Sequence, residues 1–157
     1  MIFETAQISL GGFFIFSIMK QLLFLFLVIL PSWSFAQSAE LEAAAHAVQL
    51  YFEGMIERDR SKLEEAFFSE ARLIGYRGDQ LFVTPFEEWA TGTSKGSPRD
   101  PSRYKNEIKA IRIVGNAALV ETELYWPEIY YYDFLTLLKM DGKWKIVHKS
   151  WYEKSLD

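Results

Sequence analysis

The sequence predicts an α+β domain in which three short helices precede a long antiparallel run of strands. Three observations carry this. Residues 39–58 place Ala44, Ala47, Val48, Tyr51, Phe52 and Met55 at helical spacing, with Glu53 and Glu57 on the other side. From Tyr104 onward the period changes to strand-like runs rich in β-branched and aromatic residues. Those runs are punctuated by Gly115-Asn116 and Asp141-Gly142, dipeptides suited to two-residue hairpin loops. Short amphipathic helices bury nothing alone, so they need the sheet to lie on.

The chain has 157 residues, no cysteine and a formal net charge of −4. That length suits one domain with a real core. Half the residues are hydrophobic and 17% are aromatic, a composition that argues against disorder. Mild acidity without clustered Lys and Arg argues against nucleic-acid binding. Residues 1–36 read as an export leader. Met19-Lys20 opens a charged segment and marks Met19 as the expected start, Leu22 to Leu30 is unbroken apolar sequence, and Pro31 ends it. Ser34-Phe35-Ala36 supplies small residues for cleavage after Ala36, giving a secreted or periplasmic protein with a domain at 37–157. The alternative is a retained membrane anchor over Gly11 to Leu30, interrupted by Lys20. An exported chain without cysteine has no disulfide scaffold, so its stability must come from the core.

Within the domain, residues 39–58 form the first helix, and Asp59 is positioned to cap a second that carries Leu63, Ala66 and Phe67. Arg72 to Val83 reads as a hairpin turned through Arg77-Gly78-Asp79, a tripeptide that also matches the integrin-binding motif but is read as turn chemistry. Thr84-Pro85-Phe86-Glu87 opens a third helix, with Thr84 as cap, Pro85 in the first turn and Glu87 completing a capping box; Gly92 closes it. Thr93 to Arg103 is a polar loop expected to form a mobile rim.

The turns also predict register. A loop at Gly115-Asn116 pairs Ile113 with Ala118, Ile111 with Val120, Ala110 with Glu121 and Ile108 with Glu123. A loop at Asp141-Gly142 pairs Leu137 with Ile146, Leu135 with His148 and Asp133 with Ser150, on a face shared with Tyr131 and Tyr152. The opposite face carries Tyr132, Phe134, Thr136 and Leu138 against Lys145, Val147, Lys149 and Trp151. Both faces are partly apolar. One therefore packs on the helices, and the other, through Tyr132, Phe134, Val147 and Trp151, is expected to meet a second copy.

This order of elements resembles the nuclear transport factor 2-like superfamily over nearly the whole domain. It is most similar to the putative lumazine-binding branch, whose terminal hairpin reads Asp-aromatic-Leu-Thr-Leu-Leu-Lys, then Asp-Gly-x-Trp-Lys-Ile. Here these are Asp133 to Lys139, then Asp141, Gly142, Trp144, Lys145 and Ile146. The Tyr51-Phe52 helix, the Asp59 cap and Gly115-Asn116-Ala117-Ala118 also sit where that branch would place them. The resemblance implies a cone-shaped curved antiparallel sheet wrapped around three helices, as in cystatin-like folds, with a pocket at the open end and dimers through the outer face.

The candidate chemistry centres on Asp133 and His148, diagonal neighbours in this register and a possible acid–base pair. The plainer alternative is a mutually satisfied polar pair that shapes a cavity. Tyr51, Tyr76, Tyr131 and Tyr152 add hydroxyl groups, and Trp126 and Trp144 add flat apolar walls. His46 is expected to face solvent. Two distant histidines and no cysteine give no metal cluster, and no nucleophile, phosphate or dinucleotide motif implies a cofactor. The expected function is an exported protein binding a small, partly apolar molecule. The alternatives are an isomerase, dehydratase or cyclase using Asp133 and His148, and a protein-interaction module acting through the outer face.

Overall fold

The computed structural model describes residues 37–156, so the leader expected over residues 1–36 lies outside the described residues. The chain divides between Ala39 and Glu40, and the fold below is that of the unit beginning at Glu40. Among the described residues no helix is long and apolar enough to cross a membrane. The first element, α1 (residues 40–57), buries all six positions singled out by spacing, from Ala44 to Met55. The larger of these contribute about 1.5–3 kcal/mol each when removed from water, so this stripe holds the helix more than propensity does. His46 is exposed, as expected.

A Cβ on Gly54 would lie 2.7 Å from the Leu63 side chain. The glycine therefore lets α2 (Arg60–Ala66) fold back closely on α1. The Asp59 carboxylate caps α2, accepting from the backbone N–H groups of Ser61 and Lys62 at 2.8 and 3.2 Å, a contribution of about 1 kcal/mol.

Strand β1 (Phe67–Arg77) starts earlier than the turn pattern suggested, because the chain turns extended directly after Ala66. It pairs with β2 (Gln80–Pro85) through the Gly78-Asp79 turn. The next helix, α3 (Phe86–Thr93), starts differently from the expected capping box. Thr84 stays in β2 opposite Leu73, and Pro85 occupies the cap position without a side-chain hydrogen bond. Glu87 and Glu88 instead place negative charge in the first turn, where the helix dipole favours it. Gly92 lies inside α3, and Ser94 caps its C-terminal end. The loop that follows is pinned to the end of α1. The Arg99 amide donates to the Ile56 carbonyl at 2.8 Å, its guanidinium donates to the Met55 carbonyl, and Arg58 Nη1 donates to the Thr93 carbonyl at 3.0 Å.

The remaining strands are β3 (Lys105–Val114), β4 (Ala117–Trp126), β5 (Ile129–Met140) and β6 (Lys143–Ser155). One six-stranded sheet results, in the order β2-β1-β6-β5-β4-β3. The pairings are antiparallel except β1 with β6, which is parallel. These two strands are joined by the whole intervening chain rather than a hairpin, which leaves their relative direction free. Both expected two-residue loops form, closing Val114 on Ala117 and Met140 on Lys143. Asp141 and Gly142 both have positive φ, 49° and 80°, as a type I′ turn requires.

Two bulges revise the expected register. Ile113–Ala118, Ile111–Val120 and Ala110–Glu121 pair as written, but a shift at Lys109 sets Ile108 opposite Thr122 instead of Glu123. In the terminal hairpin Leu137 faces Ile146 as expected. Val147 is then an extra residue, so Leu135 opposes Lys149 instead of His148, and Asp133 opposes Trp151 instead of Ser150. A bulge sets two residues against one and reverses the alternation beyond it. Lys149 and Trp151 therefore turn to the concave side that holds α1, and His148, Ser150 and Tyr152 turn outward. The outer strip keeps Tyr132 and Phe134, the latter 42% exposed, but loses Trp151.

Candidate functional site

A cavity of about 450 Å³ opens between α1, the β1–β2 hairpin, α3 and the ends of β4, β5 and β6 opposite the Asp141-Gly142 turn. Its floor is a buried polar triad. Tyr51, fully buried on α1, donates its hydroxyl to Asp133 Oδ2 at 2.7 Å. Lys149 Nζ donates to Tyr51 Oη at 2.7 Å and to Asp133 Oδ2 at 2.9 Å. A carboxylate as buried as Asp133 is costly without a counter-charge, and the bulge at Val147 delivers one. Burial, and then the Asp133 carboxylate, push the Tyr51 phenol well above its ordinary value, so the hydroxyl stays a neutral donor.

Lys149 joins the floor to the cavity. An ammonium has three N–H bonds, and the triad engages two of them. The same nitrogen lies 5.1, 5.7 and 6.0 Å from the ring centres of Tyr51, Trp151 and Trp89, within cation–π range. Trp151 forms a wall because its β1 neighbour is Gly75, where a Cβ would come within 2.4 Å of the indole.

The other walls carry two guanidinium groups. Arg77 lies over Phe82 and is 3.7 Å from Glu153 Oε2. Arg99 is stacked over Trp126 at 5.0 Å and Tyr104 at 6.0 Å, and Trp126 Nε1 donates to Asn106 Oδ1 at 3.0 Å. Among the described residues, no three His, Asp or Glu side chains converge as a metal ion would need.

Of the residues singled out from sequence, Tyr51, Trp126 and Tyr131 line the cavity. Burial pushes the Tyr131 phenol upward as well. Asp133 lies beneath the cavity, behind Lys149 and Tyr51. The expected Asp133–His148 pair is not formed, because the bulge sends His148 to the outer face, where it opposes Thr136. Trp144 is buried elsewhere and donates to Glu40 Oε2 at 3.1 Å. Tyr76 and Tyr152 are both 57% exposed and outside the cavity. The residues missed are Lys149, Trp151, Trp89 and Arg99. Trp89 follows Phe86 at helical spacing on α3, which marks an apolar helix side but not a cavity wall. Lys149 and Trp151 carry no local mark of their inward turn.

A curved sheet around α1, with helices α2 and α3 and a cavity at one end, defines a protein of the nuclear transport factor 2-like class. Solved structures agree. One NTF2-like protein of unknown function, from Shewanella baltica, is 26% identical with a TM-score of 0.69, covering 76% of this chain and 97% of that one. Another, from Silicibacter pomeroyi, is 24% identical with a TM-score of 0.69, covering 75% and 98%. Within this class, the model of the putative lumazine-binding family matches residues 39–152, and the chain belongs to that family. It is also similar to an aldolase, FrzH, from Cladobotryum sp, at 26% identity over 117 residues, 71% of this chain and 90% of that protein.

Proposed function

We propose that this protein binds a small, flat, partly apolar molecule in the cavity, after export directed by residues 1–36. The observation that carries the reading is Lys149, an ammonium held by Tyr51 and Asp133 beneath an aromatic-walled cavity, with one N–H left for a ligand oxygen. The family description points to ligands of the lumazine type, fused planar rings with exocyclic carbonyl oxygens. Titration with lumazine, followed by tryptophan fluorescence, tests it, because Trp89, Trp126 and Trp151 all line the cavity. Saturable quenching that Lys149→Met weakens is the expected result. No saturable change with lumazine or other two-ring carbonyl compounds would overturn the reading. N-terminal sequencing of secreted protein tests export, with a mature end at Gln37 expected and an intact leader contradicting it.

A second reading is catalytic, favoured by the similarity to an aldolase. Aldol chemistry needs a polarised carbonyl oxygen, and Lys149 can supply the N–H. The acid–base group is then Asp133 with Lys149, in place of Asp133 with His148. Aldehyde release from an aryl β-hydroxyketone, lost in Lys149→Met, tests this reading; equal rates in both proteins reject it. The outer face, with Phe134 and Leu119 each 42% exposed, is read as the contact between two copies of the chain.

A further inference from the structure

The cations around the cavity differ in how they are compensated. Lys149 is paired with Asp133 at 2.9 Å, and Arg77 is near Glu153 at 3.7 Å. Arg99 has no carboxylate within ion-pair distance among the described residues, and its guanidinium meets only neutral oxygens there, the Met55 carbonyl and the Tyr104 hydroxyl. Glu88 also lines the cavity but is exposed and forms no ion pair with Arg99. The guanidinium is nevertheless partly buried, stacked on Trp126 and Tyr104, and further disfavoured by the neighbouring positive charge of Arg58. Arg58 itself has a buried Nε without a hydrogen-bond partner. A half-buried guanidinium held over an indole and left without a counter-charge is arranged to receive an anion.

We propose that Arg99 is an anion-binding subsite, and that the ligand is a flat aromatic or conjugated carboxylate carrying a second, uncharged oxygen. This rests on the binding reading above. The carboxylate takes the Arg99 guanidinium, where charge is uncompensated. The ring system lies among Trp126, Tyr131 and Trp151. The uncharged oxygen, a carbonyl or hydroxyl, accepts the remaining N–H of Lys149, whose own charge Asp133 already balances. An anion at Lys149 would crowd Asp133, so the two ends of the ligand are distinguished by charge.

The test is calorimetric titration with hydroxynaphthoic acid and its carboxamide, two probes of the same shape that differ in charge at neutral pH. Wild-type protein is expected to bind the acid about tenfold more tightly or better, the scale of one charge-assisted hydrogen bond. Arg99→Gln should abolish that preference while still binding the amide, which also reports that the cavity is intact. Arg99 additionally anchors its loop, so Arg99→Lys serves as the second variant and should retain part of the preference for the acid. Equal binding of acid and amide by wild type, or an undiminished preference in Arg99→Gln, overturns the anion subsite and leaves the binding reading standing. If Arg99→Gln binds neither probe, an Arg99→Lys variant that binds both equally also overturns it. Failure of wild type to bind either probe counts against the binding reading itself and removes this inference with it.

Discussion

Replacing Asp133 with Asn keeps the shape of the side chain and removes the carboxylate charge paired with Lys149. Asp133 is fully buried and Lys149 is 8% exposed, so solvent offers the ammonium little compensation. Asp133 Oδ2 also accepts two hydrogen bonds, from Tyr51 at 2.7 Å and Lys149 at 2.9 Å, which an amide oxygen accepts more weakly. Leaving one member of a buried pair uncompensated costs about 3–5 kcal/mol. With a urea dependence of about 1–3 kcal/mol per molar for a domain of this size, the midpoint should fall by roughly 1–5 M. The assay is equilibrium urea unfolding followed by tryptophan fluorescence at neutral pH, run also on Lys149→Met and on the double variant Asp133→Asn/Lys149→Met. The double variant should be less destabilised than the two single losses added together, because it leaves no unpaired charge. A loss below about 1 kcal/mol in Asp133→Asn, or strict additivity in the cycle, would refute the description of Asp133 and Lys149 as a coupled buried pair.

Other substitutions separate the remaining claims. Gly75→Ala should drive the Trp151 indole off β1, lowering stability by about 1–3 kcal/mol and changing the near-ultraviolet circular dichroism of the cavity tryptophans; an unchanged spectrum and melting temperature would contradict the close approach. Glu40 is held below its ordinary 4.5 by hydrogen bonds from Lys139 and Trp144. Its contribution is therefore complete above that value and is lost as pH falls through the lower folded-state value, so Glu40→Gln should flatten the acid limb of a melting-temperature profile. If both proteins lose stability in parallel below pH ~4.5, Glu40 is not the group responsible. Phe134→Glu tests the proposed outer-face contact: light scattering should give the mass of two copies for wild type and of one for the variant, with cavity binding unaltered, and equal masses would remove the contact.

Much of the fold was legible because its signals are local. Asp141-Gly142 and Gly115-Asn116 set two-residue loops whatever the rest of the chain does, and helical spacing alone marked the buried side of α1. From the last turn, the alternation of β5 placed Tyr131 and Asp133 on the inner face correctly. The register of β6 could be counted outward from the same turn only as far as Ile146. Beyond it Val147 bulges, and nothing at that position announces it, since valine is an ordinary strand residue with no glycine or proline beside it. Counting straight through therefore put His148 inside and Lys149 outside, an error that the rarity of buried lysine made easy to accept.

By itself the sequence determined the helices, the hairpins and the aromatic content of an α+β domain, because caps, turns and periodicity act over a few residues. Only the tertiary structure decided which polar groups meet. Tyr51, Asp133 and Lys149 come from α1, β5 and β6 and converge through the Val147 bulge, and Arg99 reaches the cavity because its loop is bonded to the end of α1. The parallel contact of β1 with β6 was likewise undetermined, since strands so far apart in the chain have no turn to dictate their direction. The site is built from such contacts, and their geometry depends on packing between elements that no short stretch of sequence contains.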